Sequence, residues 1–452
     1  MSLIVVSNRE PLQKQNGTWQ PSVGGLTTAL LPVLEARGGT WVAWGEEDAE
    51  TVSHLDYPED DPVLGIERID LSDAERDKFY YGFANQTLWP LCHYFTERLV
   101  VDHSFWQTYK AINRRFVART SDAYQAGDRV WIQDYHLLLA PQLLREQHPD
   151  AKVGFFLHIP FPAPEVWQML PWADELVRGL LGSDVIGFHR LEYARNFCQA
   201  AQAVGADWHE DTTLHYQGRT IRAVVQPIGI DTERFADIAA RDSTQQHAEH
   251  FKRDFKSDYL IIGVDRLDYS KGVPERLLAF ETFLQDNPDY HRKVSFYQVA
   301  APSRTNIDAY QELKRDVDEI AGRINATYMT DDWVPVRYFN RKHPQEELIG
   351  IYLAADLAMI TPYRDGMNIV AQEFAWTSQR GALVLSHLTG AIEILPEAIT
   401  VNPLDIAALA ESIKHGLELP EAERQTALAA MRERIKNCDV HQWANRFLEI
   451  LG

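Results

Sequence analysis

The sequence predicts an α/β protein with two doubly wound, Rossmann-like parallel-sheet domains. Short runs of β-branched and other apolar residues recur along the chain, and each is followed by polar residues and then a helical pattern. This alternation is typical of parallel sheets covered by helices on both faces. The alternation is interrupted by proline and glycine near residues 228–235 and restarts at Leu260. A chain of 452 residues is also too long for one ordinary core.

The amino-acid composition argues against two classes of binding partner, nucleic acids and anionic membranes. The chain is 45% hydrophobic and 24% charged, as in soluble globular proteins, and its net charge of −21 argues against nucleic acid or an anionic membrane as a partner. No apolar run reaches the ~18 residues of a membrane span, and no basic leader precedes the first apolar run, so a cytoplasmic location is predicted. The three cysteines are widely spaced and indicate neither disulfides nor a zinc site.

Polar residues follow the predicted strands of the first half. Leu3–Val6 ends in Ser7-Asn8-Arg9, the run at 129–133 is followed by Asp134, and the run at 153–157 is followed by His158. Carboxyl ends of parallel strands share one edge of a sheet, where ligands bind. From these residues alone, a surface arginine and a structural histidine remain alternatives to a binding edge.

Three further stretches of the first half admit two interpretations each. The glycine pair Gly24-Gly25 precedes a helical pattern and permits close approach of a ligand, although such a pair alone is a weak signal. The aromatic-rich stretch 79–90 is either core or a wall for a sugar ring. Residues 46–62 are acidic and predict a solvated, irregular loop rather than a metal site.

The strongest physical signal is in the second half. The strand at 260–264 leads into a turn carrying Arg266 and Lys271, and a helix follows with Pro274 in its first turn. Two cations at a helix N-terminus are unfavourable, because the helix dipole repels them there. They become favourable if a diphosphate binds between them.

A second turn, Thr361–Glu373, follows the strand at 357–360 and also leads into a helix. Free N–H groups at a helix N-terminus bind anions. Asp365 in this turn either caps its own helix or accepts hydrogen bonds from sugar hydroxyls. The neighbouring cations Arg266 and Lys271 favour the second interpretation. Further strands are predicted at 294–299, 337–339 and 383–385, and an amphipathic helix at 440–451.

The order and spacing of these motifs resemble the retaining α,α-trehalose-6-phosphate synthases of glycosyltransferase family 20, which have the GT-B architecture. The resemblance covers essentially the whole chain. The motifs that carry it are Ser7-Asn8-Arg9, Gly24-Gly25, Tyr80, Leu88-Trp89-Pro90, Asp134-Tyr135-His136, 157–162, 266–272, Pro302-Ser303-Arg304 and 364–368.

The resemblance implies transfer of glucose from a nucleotide-glucose, most often UDP-glucose, to glucose-6-phosphate. Arg266, Lys271, Asp365 and His158 would be catalytic. The implied donor-binding residues are Gly25, His158, Arg266, Lys271, Val299, Phe339, Asp365, Gly366, Met367, Asn368, Ile369, Val370 and Glu373. The implied acceptor-binding residues are Arg9, Trp44, Tyr80, Trp89, Asp134 and Arg304.

The resemblance also implies domain roles and a mechanism. Residues 1–230 would bind the acceptor and 231–438 the nucleotide-sugar, across a cleft, with a helix at 439–452 packing back on the first domain. The mechanism that the resemblance implies is a front-face attack, and no carboxylate pair at the ~5 Å spacing of a double displacement is evident in the sequence. Neither a cofactor nor a metal ion is expected, and a homo-oligomer, dimer or tetramer, is a further expectation.

Four alternatives require other sequence features. A glucosylglycerol-phosphate synthase, using ADP-glucose and glycerol-3-phosphate, resembles this chain at Arg9-Glu10-Pro11 but lacks the Asn8 context and the double glycine, both of which are present here. A pseudoglycosyltransferase would lack the intact acceptor residues. A non-catalytic sugar-phosphate sensor predicts loss of the cations Arg266 and Lys271, which are present. A dehydrogenase requires a GxGxxG motif after a strand, which this sequence lacks.

Overall fold

The computed structural model describes residues 2–15, 18–22, 25–45, 52–58 and 60–452. The chain divides into unit 1, Met1–Ile228 with His441–Gly452, and unit 2, Gly229–Val440. Each unit is built on a largely parallel sheet with helices between its strands. The predicted α/β fold class with two doubly wound parallel sheets is therefore confirmed.

The described part of unit 1 contains strands that pair mainly in parallel and helices that connect them. The strands are β1 (Leu3–Arg9), β2 (Leu12–Gln15), β3 (Thr18–Pro21), β4 (Gly39–Trp44), β5 (His54–Tyr57), β6 (Leu64–Ile69), β7 (Arg129–Gln133), β8 (Lys152–Phe156), β9 (Val185–Phe188), β10 (Asp207–Trp208), β11 (Thr213–Tyr216) and β12 (Arg219–Val225). The helices are α1 (Gly25–Arg37), α2 (Asp73–Arg76) with a π-helical continuation (Asp77–Leu88), α3 (Trp89–Cys92), α4 (His103–Ala123), α5 (Ala140–Gln147), α6 (Pro164–Trp167), α7 (Ala173–Leu180) and α8 (Leu191–Ala203).

The main sheet of unit 1 has the order β10-β11-β12-β9-β8-β7-β1-β4-β6-β5. The predicted irregular loop at 46–62 is wrong at His54–Tyr57, because these residues form β5 and pair antiparallel with β6. A short polar strand is tolerated there because it lies at the edge of the sheet. Residues 46–51 and 59 lie outside the described residues.

Unit 2 has a second set of strands and helices. The strands are β13 (Tyr259–Arg266), β14 (Val294–Ala301), β15 (Val336–Phe339), β16 (Leu357–Ile360), β17 (Ala382–Ser386) and β18 (Ile399–Val401). The helices are α9 (Thr232–Ala239), α10 (Asp242–Phe255), α11 (Val273–Asp286), α12 (Asp308–Tyr328), α13 (Gln345–Ala354), α14 (Ile369–Thr377), α15 (Ile406–Glu418) and α16 (Glu421–Asn437), and the chain ends in α17 (Val440–Leu451).

The order of the strands decides where each sheet offers a binding edge. Unit 2 has the all-parallel order β15-β14-β13-β16-β17-β18, so the chain reverses its direction of travel between β13 and β16. In unit 1 the corresponding reversal is between β1 and β7. Ligands of doubly wound sheets bind beyond the carboxyl ends of the strands at such reversals. The turn after β13 and the turn after β16 are thereby brought side by side.

Helix α17 packs on the sheet of unit 1 through aromatic rings. The ring of Phe447 stacks on that of Trp131 at 4.5 Å between centroids, and Phe447 is fully buried. A Cβ at Gly154 of β8 would lie 2.6 Å from the Phe447 ring. The glycine in the middle of β8 therefore makes room for the helix.

We expect the Phe447→Ala variant to lose about 3–5 kcal/mol of unfolding free energy, because a fully buried ring is deleted and the stacked partner cannot fill the space. The measurement is urea unfolding followed by tryptophan fluorescence. Leu191→Ala, in which a leucine with 45% exposure is truncated in the same unit, is the control and should lose less than about 1 kcal/mol. Equal losses in the two variants would contradict the packing described for α17.

Candidate active site

The turn after β13 is shaped by two residues that the sequence motif contains. Asp268 caps a 3₁₀ turn, Tyr269–Lys271, by accepting a hydrogen bond from the Ser270 backbone N–H at 3.0 Å. Gly272 has a φ of +64°, and a Cβ there would lie 2.5 Å from the Thr361 carbonyl oxygen. A glycine is therefore required for the turn to approach the chain that leaves β16.

The turn after β16 is joined to the first turn by hydrogen bonds and charge. The Tyr363 backbone N–H donates to the Ser270 carbonyl at 2.8 Å. The Lys271 ammonium forms an ion pair with Asp365, whose side chain also accepts a hydrogen bond from the Asn368 amide at 3.1 Å. The structure thus brings together two residues for which the sequence predicted separate ligand groups.

The N-terminus of α14 is held by the same turn. Asn368 has a φ of +80°, and its Oδ1 accepts a hydrogen bond from the Ala371 backbone N–H at 3.1 Å. Ile369 and Val370 are the first two residues of α14. Backbone N–H groups at this position have no partner within the helix and suit an anion.

A buried carboxylate gathers the cations of unit 2. Asp268 accepts a hydrogen bond from the Arg304 guanidinium at 2.7 Å and is fully buried. Burial alone would raise the pKa of Asp268, but the cations Arg304, Arg266 and Lys271 hold it well below its usual range. Lys271 also pairs with Asp365. Three cations beside these two carboxylates leave one positive charge in excess, which suits a phosphate group.

A second buried ion pair, between Arg276 and Asp265, stabilises the turn after β13. The Arg276 guanidinium donates to Asp265 at 2.7 Å and to the Lys271 carbonyl at 3.2 Å, and it also contacts Gln298 and Thr361. Burial raises the pKa of Asp265, although Arg276 opposes this effect. Arg276 was not among the predicted residues, because an arginine inside a helix is usually exposed.

Further residues predicted for the donor also lie on unit 2. Glu373 of α14 accepts a hydrogen bond from the Tyr352 hydroxyl at 2.9 Å, and burial raises its pKa to about 7 although this hydrogen bond opposes the rise. Val299 and Phe339 are paired neighbours in β14 and β15. In the turn after β16, the Met367 carbonyl, next to Gly366, accepts from the Ala391 N–H at 2.7 Å.

Unit 1 brings three residues predicted for the acceptor into contact. Arg9 follows an irregularity in the pairing of β1 with β4, and its guanidinium donates to the Tyr80 hydroxyl at 3.1 Å. The same guanidinium lies 6.0 Å from the centroid of the Trp44 ring. A cation flanked by two aromatic rings is held in one place while it remains exposed.

Two more predicted acceptor residues, Trp89 and Asp134, lie near this group of side chains. The ring of Tyr80 stacks on His136 at 5.8 Å between centroids, and the Trp89 ring lies 5.8 Å from Tyr135. Asp134, directly before Tyr135, has a φ of +71°. These residues belong to one group of side chains at the carboxyl ends of β1 and β7.

His158 at the end of β8 is neutral and fixed. Its backbone N–H donates to Asp134 at 3.1 Å, and its Nε2 is hydrogen bonded to the Gln133 side chain at 3.0 Å. Burial holds the pKa of His158 well below its usual value, and His189 lowers it further. Gln133 and His189 were missed by the sequence analysis; the position of Gln133 next to Asp134 was the available signal.

Some predictions concern groups that the structure does not test. Gly25 begins α1, whereas Gly24 lies outside the described residues. In the part of the chain that the structure describes, no group of three or more His, Cys, Asp or Glu residues could hold a metal ion. No helix among the described residues is long and apolar enough to cross a membrane.

A family model described as glycosyltransferase family 20 matches residues 1–452. The chain belongs to this family. A bifunctional trehalose-6-phosphate synthase/phosphatase of Thermoproteus tenax is 40% identical over 99% of the chain, which spans 63% of that relative's length.

Solved structures extend the likeness to the fold. A UDP-forming α,α-trehalose-phosphate synthase from Burkholderia xenovorans in complex with glucose-6-phosphate is 34% identical, with a TM-score of 0.91 over 100% of both chains. A structure described as trehalose-6-phosphate from E. coli bound with UDP-2-fluoro glucose is 33% identical, with a TM-score of 0.93 over 100% of this chain and 99% of the other. The predicted GT-B fold class and the predicted glycosyltransferase of trehalose-6-phosphate synthase type are confirmed by these matches.

For this family member we expect Arg276→Ala to lose about 3–5 kcal/mol of unfolding free energy, because Asp265 would be left buried without its cation. The matched control is Arg323→Ala, which removes an exposed arginine that pairs with Glu281 at 2.7 Å and should cost less than about 1 kcal/mol. Chemical denaturation of both variants checks the difference. Similar losses of unfolding free energy in the two variants would contradict a stabilising role of the Arg276 contacts in the turn after β13.

Proposed function

We propose that this glycosyltransferase moves glucose from UDP-glucose to glucose-6-phosphate with retention, which gives α,α-trehalose-6-phosphate. The observation that carries the proposal is the pair of joined turns in unit 2, where an excess of cations lies beside Asp365 and the N-terminus of α14. Supporting it, one relative is a UDP-forming enzyme bound to glucose-6-phosphate and another structure holds UDP-2-fluoro glucose.

In the proposal the donor binds to unit 2. Arg266 and Lys271 neutralise the diphosphate, and the backbone N–H groups of Ile369 and Val370 add donors to it. Asp365 accepts hydrogen bonds from glucose hydroxyls, helped by the backbone of Gly366 to Asn368. Three further donor contacts come from Glu373 with the ribose hydroxyls and from Val299 and Phe339 beside the base.

Residues of unit 1 complete the proposed contacts. Arg9 and Tyr80 bind the acceptor phosphate, a role that the resemblance also gives to Arg304 of unit 2. Trp44, Trp89 and Asp134 line the acceptor sugar. His158 contacts the donor sugar near its 6-hydroxyl, and Gly25 approaches the diphosphate.

The proposed reaction is a front-face substitution at the anomeric carbon. The bond from this carbon to the UDP phosphate oxygen breaks with its electron pair going to the phosphate, and a bond to the acceptor's anomeric hydroxyl oxygen forms on the same face. The leaving phosphate oxygen takes the acceptor's proton, while Arg266 and Lys271 stabilise the growing negative charge. Asp365 is engaged by Lys271 and Asn368, which favours hydroxyl binding over nucleophilic attack.

The proposal includes neither a cofactor nor a metal ion, since two fixed cations would stabilise the leaving group. A cytoplasmic location, a role in osmoprotection and a dimeric or tetrameric assembly stay predictions. They do not enter the tests below.

We expect trehalose-6-phosphate to form from UDP-glucose and glucose-6-phosphate, because the cation-rich turns and the acceptor residues of the family are present. The measurement incubates the enzyme with UDP-, ADP- or GDP-glucose and either glucose-6-phosphate or glycerol-3-phosphate, and identifies the product by mass spectrometry and its anomeric configuration by NMR. Glucosylglycerol phosphate as the sole product would overturn the proposed acceptor, and a product with inverted configuration would overturn retention.

We expect UDP-glucose affinity to weaken as pH falls from 8 to 6, because Glu373 with a pKa of about 7 must be ionised to accept the ribose hydroxyls well. The ionised fraction falls from about 0.9 to about 0.1 over this range, so the loss in affinity should approach about tenfold. UDP-glucose suits the titration because its diphosphate, esterified at both ends, lacks the monoester ionisation near pH 6. Calorimetry at each pH gives the affinity.

Two variants check the cause of this pH dependence. Glu373→Gln should bind UDP-glucose with little change between pH 6 and 8. Tyr352→Phe removes a hydrogen bond that stabilises the carboxylate, so the midpoint of the pH dependence should move upward. A wild-type affinity that is constant from pH 6 to 8, or a Glu373→Gln variant with the wild-type slope, would contradict this role.

A further inference from the structure

Asp268 belongs to the motif that carries the donor cations, yet the proposed function assigns it no role. It is fully buried and lies two residues after Arg266 and three before Lys271. A buried charge is costly unless its partners are well placed. The arrangement of those partners indicates what Asp268 does.

The two carboxylate oxygens of Asp268 serve different groups. Oδ1 accepts hydrogen bonds from the backbone N–H and the hydroxyl of Ser270, at 3.0 and 2.9 Å. Oδ2 accepts from the Arg304 guanidinium at 2.7 Å and from the Tyr310 hydroxyl at 3.1 Å. One oxygen therefore shapes the turn that carries Lys271, and the other holds a cation that comes from the chain after β14.

Arg304 needs such support to be ready for an anion. Its backbone φ is +48°, in the left-handed region that arginine rarely adopts, and its side chain is long and would otherwise sample many rotamers. Nη1 of Arg304 donates to both Asp268 and Tyr310. Guanidinium carries five N–H donors in a fixed fork, so fixing one nitrogen also fixes the direction of the others.

The charge of Asp268 does not cancel the attraction for anions. Arg304, Arg266 and Lys271 all act on this one carboxylate. With Asp268 and Asp365, the partner of Lys271, both counted, these three cations still leave one net positive charge. The Asp268 carboxylate therefore fixes the cationic side chains and reduces their attraction for an anion only modestly. Fixed donors bind an anion more tightly than mobile ones, because less conformational freedom is lost on binding.

We propose that Asp268 is a positioning residue, which holds Arg304 in the orientation that binds the acceptor phosphate while its other oxygen shapes the donor turn. The inference rests on the proposed function, in which Arg304 binds the phosphate of glucose-6-phosphate. Asp268 itself touches neither substrate in this proposal and acts through Arg304.

The test uses Asp268→Asn, which keeps the volume and one oxygen but removes the charge that pairs with Arg304. Calorimetry measures glucose-6-phosphate and UDP separately with wild type, D268N, R304A and the double variant. We expect D268N to weaken glucose-6-phosphate binding at least tenfold and UDP binding less than about threefold.

The double variant should bind glucose-6-phosphate no more weakly than R304A, because a residue that acts through Arg304 has nothing left to position. Tyr310→Phe removes a neutral hydroxyl from the same nitrogen but keeps the ion pair, so it should weaken glucose-6-phosphate binding less than Asp268→Asn does.

Other outcomes overturn the inference in distinguishable ways. Unchanged glucose-6-phosphate affinity in D268N, losses that add in the double variant, or a loss of UDP affinity as large as that of glucose-6-phosphate would each overturn it while the proposed function stands. A wild-type enzyme that does not bind glucose-6-phosphate would overturn the proposed acceptor and this inference together.

A second variant covers the case in which D268N does not fold, as judged by its thermal unfolding. Arg304→Lys keeps the charge and leaves Asp268 in place, but an ammonium lacks the fork through which the carboxylate sets a direction. Glucose-6-phosphate binding at least tenfold weaker, with UDP binding unchanged, supports the inference. Wild-type affinity of R304K for glucose-6-phosphate overturns it.

Discussion

Several cations can be kept together at one edge of a sheet only if carboxylates hold them in place. Without such partners the charges of Lys271, Arg276 and Arg304 would repel one another in a poorly screened interior. Each has a carboxylate of its own, namely Asp365, Asp265 and Asp268 respectively. These ion pairs connect the turns after β13, β14 and β16, so the electrostatics of the site and its shape have a common origin.

The topology of the sheet explains why these turns meet. β13 lies between β14 and β16, so the chain leaves β13 to one side and later returns on the other. Helices α11 and α14 consequently begin close together, and their first turns flank the same edge. The chain as a whole carries a net charge of −21, so attraction for a phosphorylated ligand has to arise locally, and this edge is where unit 2 concentrates its cations.

The elements that the sequence predicted well are those whose signal is local. The alternation of apolar runs with helical patterns depends on neighbours along the chain, and for that reason β16 and α17 were predicted close to their limits. The edge strand β5 was missed, because its polar residues become a strand only through pairing with β6. The pairing partner is a property of the fold and not of the segment.

The residues of the candidate site also divide into those with a local signal in the sequence and those whose role depends on the fold. Arg266 and Lys271 were predicted from the chemistry of their own turn, because cations at a helix N-terminus stand out in a sequence. Asp365 was predicted to bind a sugar only with the help of these two cations. The burial of Arg276 was not predictable, since its partners Gln298 and Thr361 are far away in the chain. The ion pair between Lys271 and Asp365 was not foreseen either, because it depends on the approach of two turns that Gly272 permits.

Asp268 and Glu373 show that burial alone does not decide the charge of a carboxylate. Both belong to unit 2, and burial acts to raise the pKa of each. Cations near Asp268 reverse the effect. Glu373 accepts a hydrogen bond from the neutral Tyr352 hydroxyl, and its pKa stays raised. The carboxylate that holds cations is therefore ionised throughout the physiological range, as a fixed element must be. The carboxylate proposed to meet neutral ribose hydroxyls is left with a charge that pH can change.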